Sequence, residues 1–194
     1  MSGTIFLVRH GETEWNVTRR YQGWLDSPLT ERGVGQAHAI GRRLRDLPEA
    51  ASAAIVASPL GRTRRTAELI RAELGGGAIE YDERLREISI GSWDGLDYHD
   101  IDALAPATFA GEDSRWEWYF HTPDGETYDG FAGRVGAWLA DFADRTAIVV
   151  AHGVVTRVLR GLYAGLPREA ALRLPVPQDR IFRLTRGTIE EIAL

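Results

Sequence analysis

Apolar positions along the chain repeat in two ways. Residues 4–8 (TIFLV), 53–57 (AAIVA) and 147–151 (AIVVA) are short unbroken runs rich in β-branched side chains, the pattern of strands covered on both faces. Between them the spacing widens to three and four. Thr30 is placed to cap a helix whose stripe is Val34, Ala37, Ile40, Leu44 and Leu47. Ser58 is predicted to cap a second helix, with Pro59 at its first position and Leu60, Thr63, Ala67, Ile70 and Leu74 on its apolar face. Phe131, Val135, Trp138 and Phe142 mark a third, and the glycines at 75–77 end the second. Buried strands alternating with amphipathic helices predict an α/β fold with a layered sheet.

Residues 93–131 break this pattern. They are rich in aromatic side chains, Trp116, Trp118, Tyr119 and Phe120 among them, and show no clear core strand. They read as an excursion over one end of the sheet. A chain of 194 residues, set against about 100 to 200 residues per domain, predicts one domain over 1–194 with that excursion inside it.

Composition removes several chemistries. The chain has no Cys, which excludes disulfides, thiolate zinc sites and cysteine nucleophiles. All 23 basic residues are Arg, so Walker-A loops, Schiff bases and lysine general bases are excluded too. A net charge of −5 argues against nucleic acid or an anionic membrane as the main partner. The N-terminus runs straight into the first strand pattern, without a basic segment or a long apolar stretch. Neither a signal peptide nor a membrane span is expected, and the cytoplasm is the expected location.

Two stretches share one design. Val8-Arg9-His10-Gly11 follows the first strand and Val150-Ala151-His152-Gly153 follows the run at 147–151. Each puts a His at a strand's carboxyl end, followed by a Gly that lets the backbone turn away. In open α/β sheets ligands bind at that edge, so two such histidines from neighbouring strands would face one crevice. Either His alone would be a polar residue filling a strand end. Arg9 can join His10 at one ligand only if the strand stops there, because alternation would aim the two at opposite faces. Arg62 falls in the first turn of the helix after Ser58, where free N–H groups and the helix dipole favour an anion. Arg64 and Arg65 behind it read as solvated. Neither strand supplies the carboxylates of a dinuclear metal site. Asp100-Ile101-Asp102 reads as a helix start, and Gly33-x-Gly35 lacks the third glycine of a dinucleotide loop.

Read in order, the motifs resemble the histidine phosphatase superfamily, which includes the cofactor-dependent phosphoglycerate mutases. The resemblance rests on residues 7–16 (LVRHGETEWN), 21–30 (YQGWLDSPLT), Ser58-Pro59-Leu60 with Arg62, and Leu85-Arg86-Glu87-Ile88 with Gly91, Trp93 and Gly95. It continues in Asp124-Gly125-Glu126-Thr127 and Ala151-His152-Gly153. R-H-G alone is weak, whereas the ordered set spans residues 4 to about 167. The resemblance implies a three-layer α/β/α fold with a mostly parallel central sheet and a phosphohistidine mechanism. His10 is then the nucleophile, Arg9, Arg62 and His152 hold the phosphate, and Glu87 is the proton donor. Asn16, Gln22 and Gly23 lie near the transferred phosphoryl group, and no cofactor or metal is implied. Without the resemblance Glu87 reads equally as a surface acid paired with Arg84 or Arg86.

The family divides between mutases and phosphatases. Mutases resemble longer chains with a basic segment after the acid, whereas residues 94–130 here carry ten acidic residues (Asp94, Asp97, Asp100, Asp102, Glu112, Asp113, Glu117, Asp124, Glu126, Asp129) against Arg115 alone. An acidic, aromatic lid would repel a second anionic group and stack on a sugar or base. The expected activity is therefore hydrolysis of a small sugar- or nucleoside-like phosphomonoester by a metal-independent enzyme of the EC 3.1.3 type. The alternatives are a phosphoglycerate mutase and a non-catalytic phosphate-binding module.

Overall fold

The computed structural model describes residues 3–109, 114–142 and 144–194, with 114 and 115 in backbone only. The strands are β1 (Thr4–Arg9), β2 (Ala54–Ala57), β3 (Ile79–Tyr81), β4 (Ala147–Ala151), β5 (Arg180–Thr185) and β6 (Thr188–Ala193). The α-helices are α1 (Glu14–Val17), α2 (Glu31–Arg45), α3 (Pro48–Ala51), α4 (Gly61–Glu73), α5 (Tyr98–Leu104), α6 (Ser114–Glu117), α7 (Tyr128–Phe142), α8 (Gly153–Ala164) and α9 (Arg168–Leu172).

The six strands form one sheet in the order β3-β2-β4-β1-β5-β6. The first four run parallel, while β5 is antiparallel to β1 and β6 to β5. The three apolar runs are the sheet's centre, β2, β4 and β1. Their lack of alternation follows from double coverage. Ile5 and Leu7 join Val149, Phe131, Trp138, Val155 and Leu159 on one face. Phe6 and Val8 join Ile148, Val150, Ile40, Leu44, Ala67 and Ile70 on the other. Thus α7 and α8 cover one face and α2 and α4 the opposite one, giving three layers.

Local signals place the helices with some corrections. Thr30 caps α2, its Oγ1 accepting from Gly33 N at 3.0 Å. Leu47 lies past α2 and precedes α3. The helix expected from Pro59 begins instead at Gly61, and Leu60 at its N-cap offers no side-chain bond. Asp26, from a remote loop, supplies that cap: Oδ2 accepts from Gly61 N at 2.6 Å and Oδ1 from Arg62 N at 3.2 Å. Ser58 lies before the N-cap, its Oγ 2.7 Å from His152 Nε2 and accepting from Leu60 N at 3.4 Å.

The excursion is less detached than its sequence suggests. Among the described residues 93–131 carry helices and no strand of the sheet, and Asp100 and Asp102 lie in α5 as expected. Trp118, Tyr119 and Phe120, however, are buried in the same apolar cluster as Leu7 and Val149. The stretch from 175 on, which has little sequence signature, forms the β5–β6 hairpin through a turn with Arg186 at φ 49° and Gly187 at φ 78°.

The loop after β1 and the start of α2 meet backbone to backbone. A Cβ on Gly11 would collide with the Gly33 carbonyl, and one on Gly33 with the Glu12 carbonyl. Gly33→Ala should therefore cost about 1–3 kcal/mol, read as a lower urea midpoint at unchanged slope. Wild-type stability in that variant would contradict the contact.

Candidate active site

The register of β1 against β4 sets the geometry. Arg9 pairs with Ala151 at the last rung, and His10 N donates to Ala151 O at 3.0 Å just beyond it. Both strands thus stop at one level and deliver His10 and His152 side by side, with ring centroids 5.3 Å apart. His10 is 2% exposed and His152 0%.

Ring chemistry at His10 is determined by one bond. Its Nδ1 lies 2.8 Å from Gly11 O. A carbonyl only accepts, so Nδ1 carries the proton and Nε2 keeps its lone pair in the neutral ring. Burial, then the charges of Arg62 and Arg9, hold the His10 pKa well below the usual 6.5. His152 is lowered likewise, by burial first and then by Arg62, His10 and Arg9. Its Nε2 sits 2.7 Å from Ser58 Oγ, while Nδ1 has no partner within the protein.

The two arginines converge as expected, though by another route for Arg62. Its NH1 donates to Leu25 O and Asp26 Oδ1 at 2.7 and 2.8 Å, and NH2 to Gly23 O at 2.8 Å. The N–H groups of Gly61 and Arg62 at the α4 N-terminus are occupied by Asp26, so Arg62 contributes its guanidinium rather than a helix-end anion site. Arg9 NH1 donates to Val176 O at 2.8 Å. Burial lowers Arg9 to about 10, with Glu87 opposing the shift. Both Nε atoms are buried and unpartnered within the protein. Two guanidinium donors are thereby left for an anion to satisfy, joined by His152 Nδ1–H in the tautomer whose Nε2 accepts the Ser58 hydroxyl proton.

Glu87 is not paired with its neighbours, because Arg84 binds Asp82 and Asp141 and Arg86 binds Glu83. Its Oε1 accepts from Ile88 N at 3.1 Å and its Oε2 from Val154 N at 3.2 Å. Trp24 Nε1 and Arg134 NH2 both donate to its backbone carbonyl.

Arg9, His10, Asn16, Gln22, Gly23, Arg62 and Glu87 line one cavity of about 410 Å³, and His152 packs edge-on against His10. Asn16 Oδ1 accepts from Gln178 Nε2 at 3.0 Å, and Gln22 Oε1 is buried without a partner. Gly23 has φ +50°, and a side chain there would strike the Asp94 carboxylate.

Among the described residues the acids of the excursion do not line this cavity. Asp97 and Asp100 form the capping box of α5, Asp94 accepts from Trp24 N and Ile90 N, and Asp124 from Ser92 N. Glu117 pairs with Arg168 and Glu126 with Arg134. Glu112, Asp113 and the Arg115 side chain lie outside the described residues. None of the other eight acids lines the cavity. For the described residues the expectation of a repelling acidic lid is therefore corrected, since short-range caps and ion pairs hold six of those eight carboxylates elsewhere.

Arginines and aromatics stand where acids were expected. Arg20, Arg157, Trp116, Trp118 and Tyr119 line the cavity. Arg157, one turn past His152 on α8, could have been found from that spacing. Val176 and Gln178 had no sequence signal. Among the described residues no group of three or more His, Asp or Glu side chains could hold a metal ion.

A family profile for the histidine phosphatase superfamily (branch 1) matches residues 5–189. A Citrobacter koseri protein named "Probable phosphoglycerate mutase GpmB" is 39% identical over 191 residues, 93% of this chain and 83% of that one. A mycobacterial glucosyl-3-phosphoglycerate phosphatase solved with VO3 superposes with TM-score 0.80 at 29% identity, covering 99% of this chain and 97% of that one. The Bacillus stearothermophilus protein YhfR gives 0.82 at 34%, covering 99% and 96%.

Because both histidines are held below their unfolded pKa, the unfolded state binds protons that the folded state refuses. Stability from this source is complete above about pH 6.5 and is lost as pH falls below it. Thermal midpoints should drop between about pH 7 and pH 5, and less steeply in a His10→Gln/His152→Gln double variant. Parallel profiles for the two proteins would contradict neutral burial.

Proposed function

The chain belongs to the histidine phosphatase superfamily, and from that membership we propose that it hydrolyses small phosphomonoesters through a phosphohistidine on His10, within a single domain over 1–194. The observation that carries the reading is the neutral His10 ring with its proton held on Nδ1 by Gly11 O, beside two buried guanidinium donors and the His152 Nδ1 that have no partner within the protein.

The reaction runs in two balanced steps. His10 Nε2 attacks phosphorus, the P–N bond forms as the ester P–O bond breaks, and Glu87 gives its proton to the departing oxygen. Water then attacks the phosphohistidine, its proton passes to the Glu87 carboxylate, and the P–N bond breaks to release inorganic phosphate. Arg9 and Arg62 neutralise the phosphoryl oxygens throughout and the neutral His152 donates a hydrogen bond to them, with Asn16, Gln22 and the Gly23 backbone completing the cradle. The Nδ1–H bond to Gly11 O stabilises the positive charge that develops on the ring. Fixed guanidinium charge supplies what a divalent metal supplies in other phosphatases, so no metal is required. Trp116, Trp118 and Tyr119 suit the ring of a sugar- or nucleoside-like leaving group.

One observation favours a second reading, transfer of the phosphoryl group back to a sugar acid as in a mutase: the 39% identity to a relative with that name. A non-catalytic module has no such support, since His10, Glu87 and His152 are all present.

Phosphate release from a panel of monoesters under exhaustive chelation decides the matter. Turnover should persist without metal and disappear in His10→Ala. Glu87→Gln should slow sugar phosphates at least tenfold more than an aryl phosphate, whose phenolate departs without a proton. Metal-dependent turnover, activity in His10→Ala, or isomerisation of phosphoglycerate outpacing hydrolysis would each overturn the corresponding part.

A further inference from the structure

We propose that Arg134 and Glu126 are positioning residues for Glu87, a clamp on the backbone of the proton donor that sets where its carboxyl meets the leaving oxygen. The inference rests on the acid role given to Glu87 above. It also assigns a use to the motif Asp124-Gly125-Glu126-Thr127, which the mechanism leaves without one.

Glu87 needs a hold from outside its own segment. Residues 86–90 follow a short 3₁₀ turn at Glu83–Leu85 and lie in neither helix nor strand, so no ladder of backbone bonds fixes them. One guanidinium takes that place. Arg134, on α7, donates through NH1 to Arg84 O and Arg86 O, both at 2.7 Å, and through NH2 to Glu87 O at 3.0 Å. Its other two N–H groups go to Glu126, from Nε to Oε1 at 2.7 Å and from NH2 to Oε2 at 2.8 Å. All five donors of the fork are thus used, three of them on carbonyls at and just before the acid. A lysine, with its donors on one atom, cannot span that set.

Glu126 completes the clamp on the far side of the acid. Its Oε2 also accepts from Ser89 N at 3.0 Å, and its own N–H donates to Ser89 O at 2.9 Å. Gly125 permits this approach, because a Cβ there would lie 2.6 Å from Ser89 O and 3.0 Å from Ile90 Cα. The contrast with the phosphate-facing arginines identifies the role. Arg9 and Arg62 line the cavity and keep a buried Nε without a partner, whereas neither Arg134 nor Glu126 lines it and Arg134 has no donor left. The charge of Arg134 is matched by Glu126, so what the pair delivers to Glu87 is geometry. The Glu87 carboxyl must come within about 3 Å of the oxygen it protonates, and a misplacement of about 1 Å costs on the order of a hundredfold in rate.

Hydrolysis of monoesters ranging from alkyl to nitrophenyl leaving groups tests the clamp. Arg134→Met should lose about tenfold or more in kcat/KM on alkyl esters and less than about threefold on the nitrophenyl ester, the pattern of Glu87→Gln, with Arg134→Lys in between. Glu126→Gln should follow Arg134→Met, and it carries the test where Arg134→Met does not fold. Adding Arg134→Met to Glu87→Gln should cost little more on alkyl esters, since no acid is left to place. Calorimetry with inorganic phosphate should find the affinity of each single variant within about threefold of wild type, because the Arg9 and Arg62 cradle is untouched. An equal loss on all leaving groups, full additivity with Glu87→Gln, or phosphate binding lost in step with turnover would overturn the clamp. If Glu87→Gln itself shows no dependence on the leaving group, the acid role falls and the clamp falls with it. If Glu87→Gln shows that dependence and the Arg134 and Glu126 variants do not, the clamp alone falls.

Discussion

The parallel pairing of β1 with β4 is the constraint on which the site depends. Arg9 opposite Ala151 brings both strands to their end on one rung, and the next residue of each chain is a histidine. A slip of one residue would turn every side chain of β1 to the other face, exchanging the two apolar clusters and moving Arg9 and His10 away from His152. The register is secured by burial on both faces, where Leu7 and Val149 serve one cluster and Val8 and Val150 the other. Packing and catalytic geometry are thus fixed by the same contacts.

Around that edge the protein holds arginines mainly with carbonyl oxygens. Gly23 and Leu25 take Arg62, Val176 takes Arg9, Leu174 takes Arg157 and Pro175 takes Arg160. Carbonyl dipoles orient a guanidinium without cancelling its charge, whereas a carboxylate would do both. The segment 174–176 therefore acts as a strap beneath the cavity and leaves a positive surplus inside it. Burial first, and then that surplus, hold the His10 and His152 pKa values well below 6.5, as the roles proposed for them require.

Most of this was legible where one short segment carries the signal. The strand runs, the Thr30 cap and the paired His-Gly corners are local patterns, and of the residues they point to His10 lines the cavity with His152 packed against it. What the sequence hid was longer in range. Asp26 caps a helix 35 residues further on, which no spacing rule at Ser58-Pro59 reveals. Val176 and Gln178 act through a backbone carbonyl and an amide with no motif around them. The acids of 94–130 misled because a charge count contains no direction, and local caps and ion pairs had already engaged most of those described. Arg157 was missed because a single arginine on a helix face looks solvated until the fold places Tyr119 and Trp116 beside it.

The account stands on a neutral His10 whose proton is on Nδ1. Long-range proton–nitrogen NMR of the ring, with His10 assigned by its absence in His10→Gln, reads both the charge and the tautomer directly. The free protein should show a protonated Nδ1 and a bare Nε2 at about pH 7, unchanged down to about pH 6. A doubly protonated ring at neutral pH, or a proton on Nε2 instead, would contradict it.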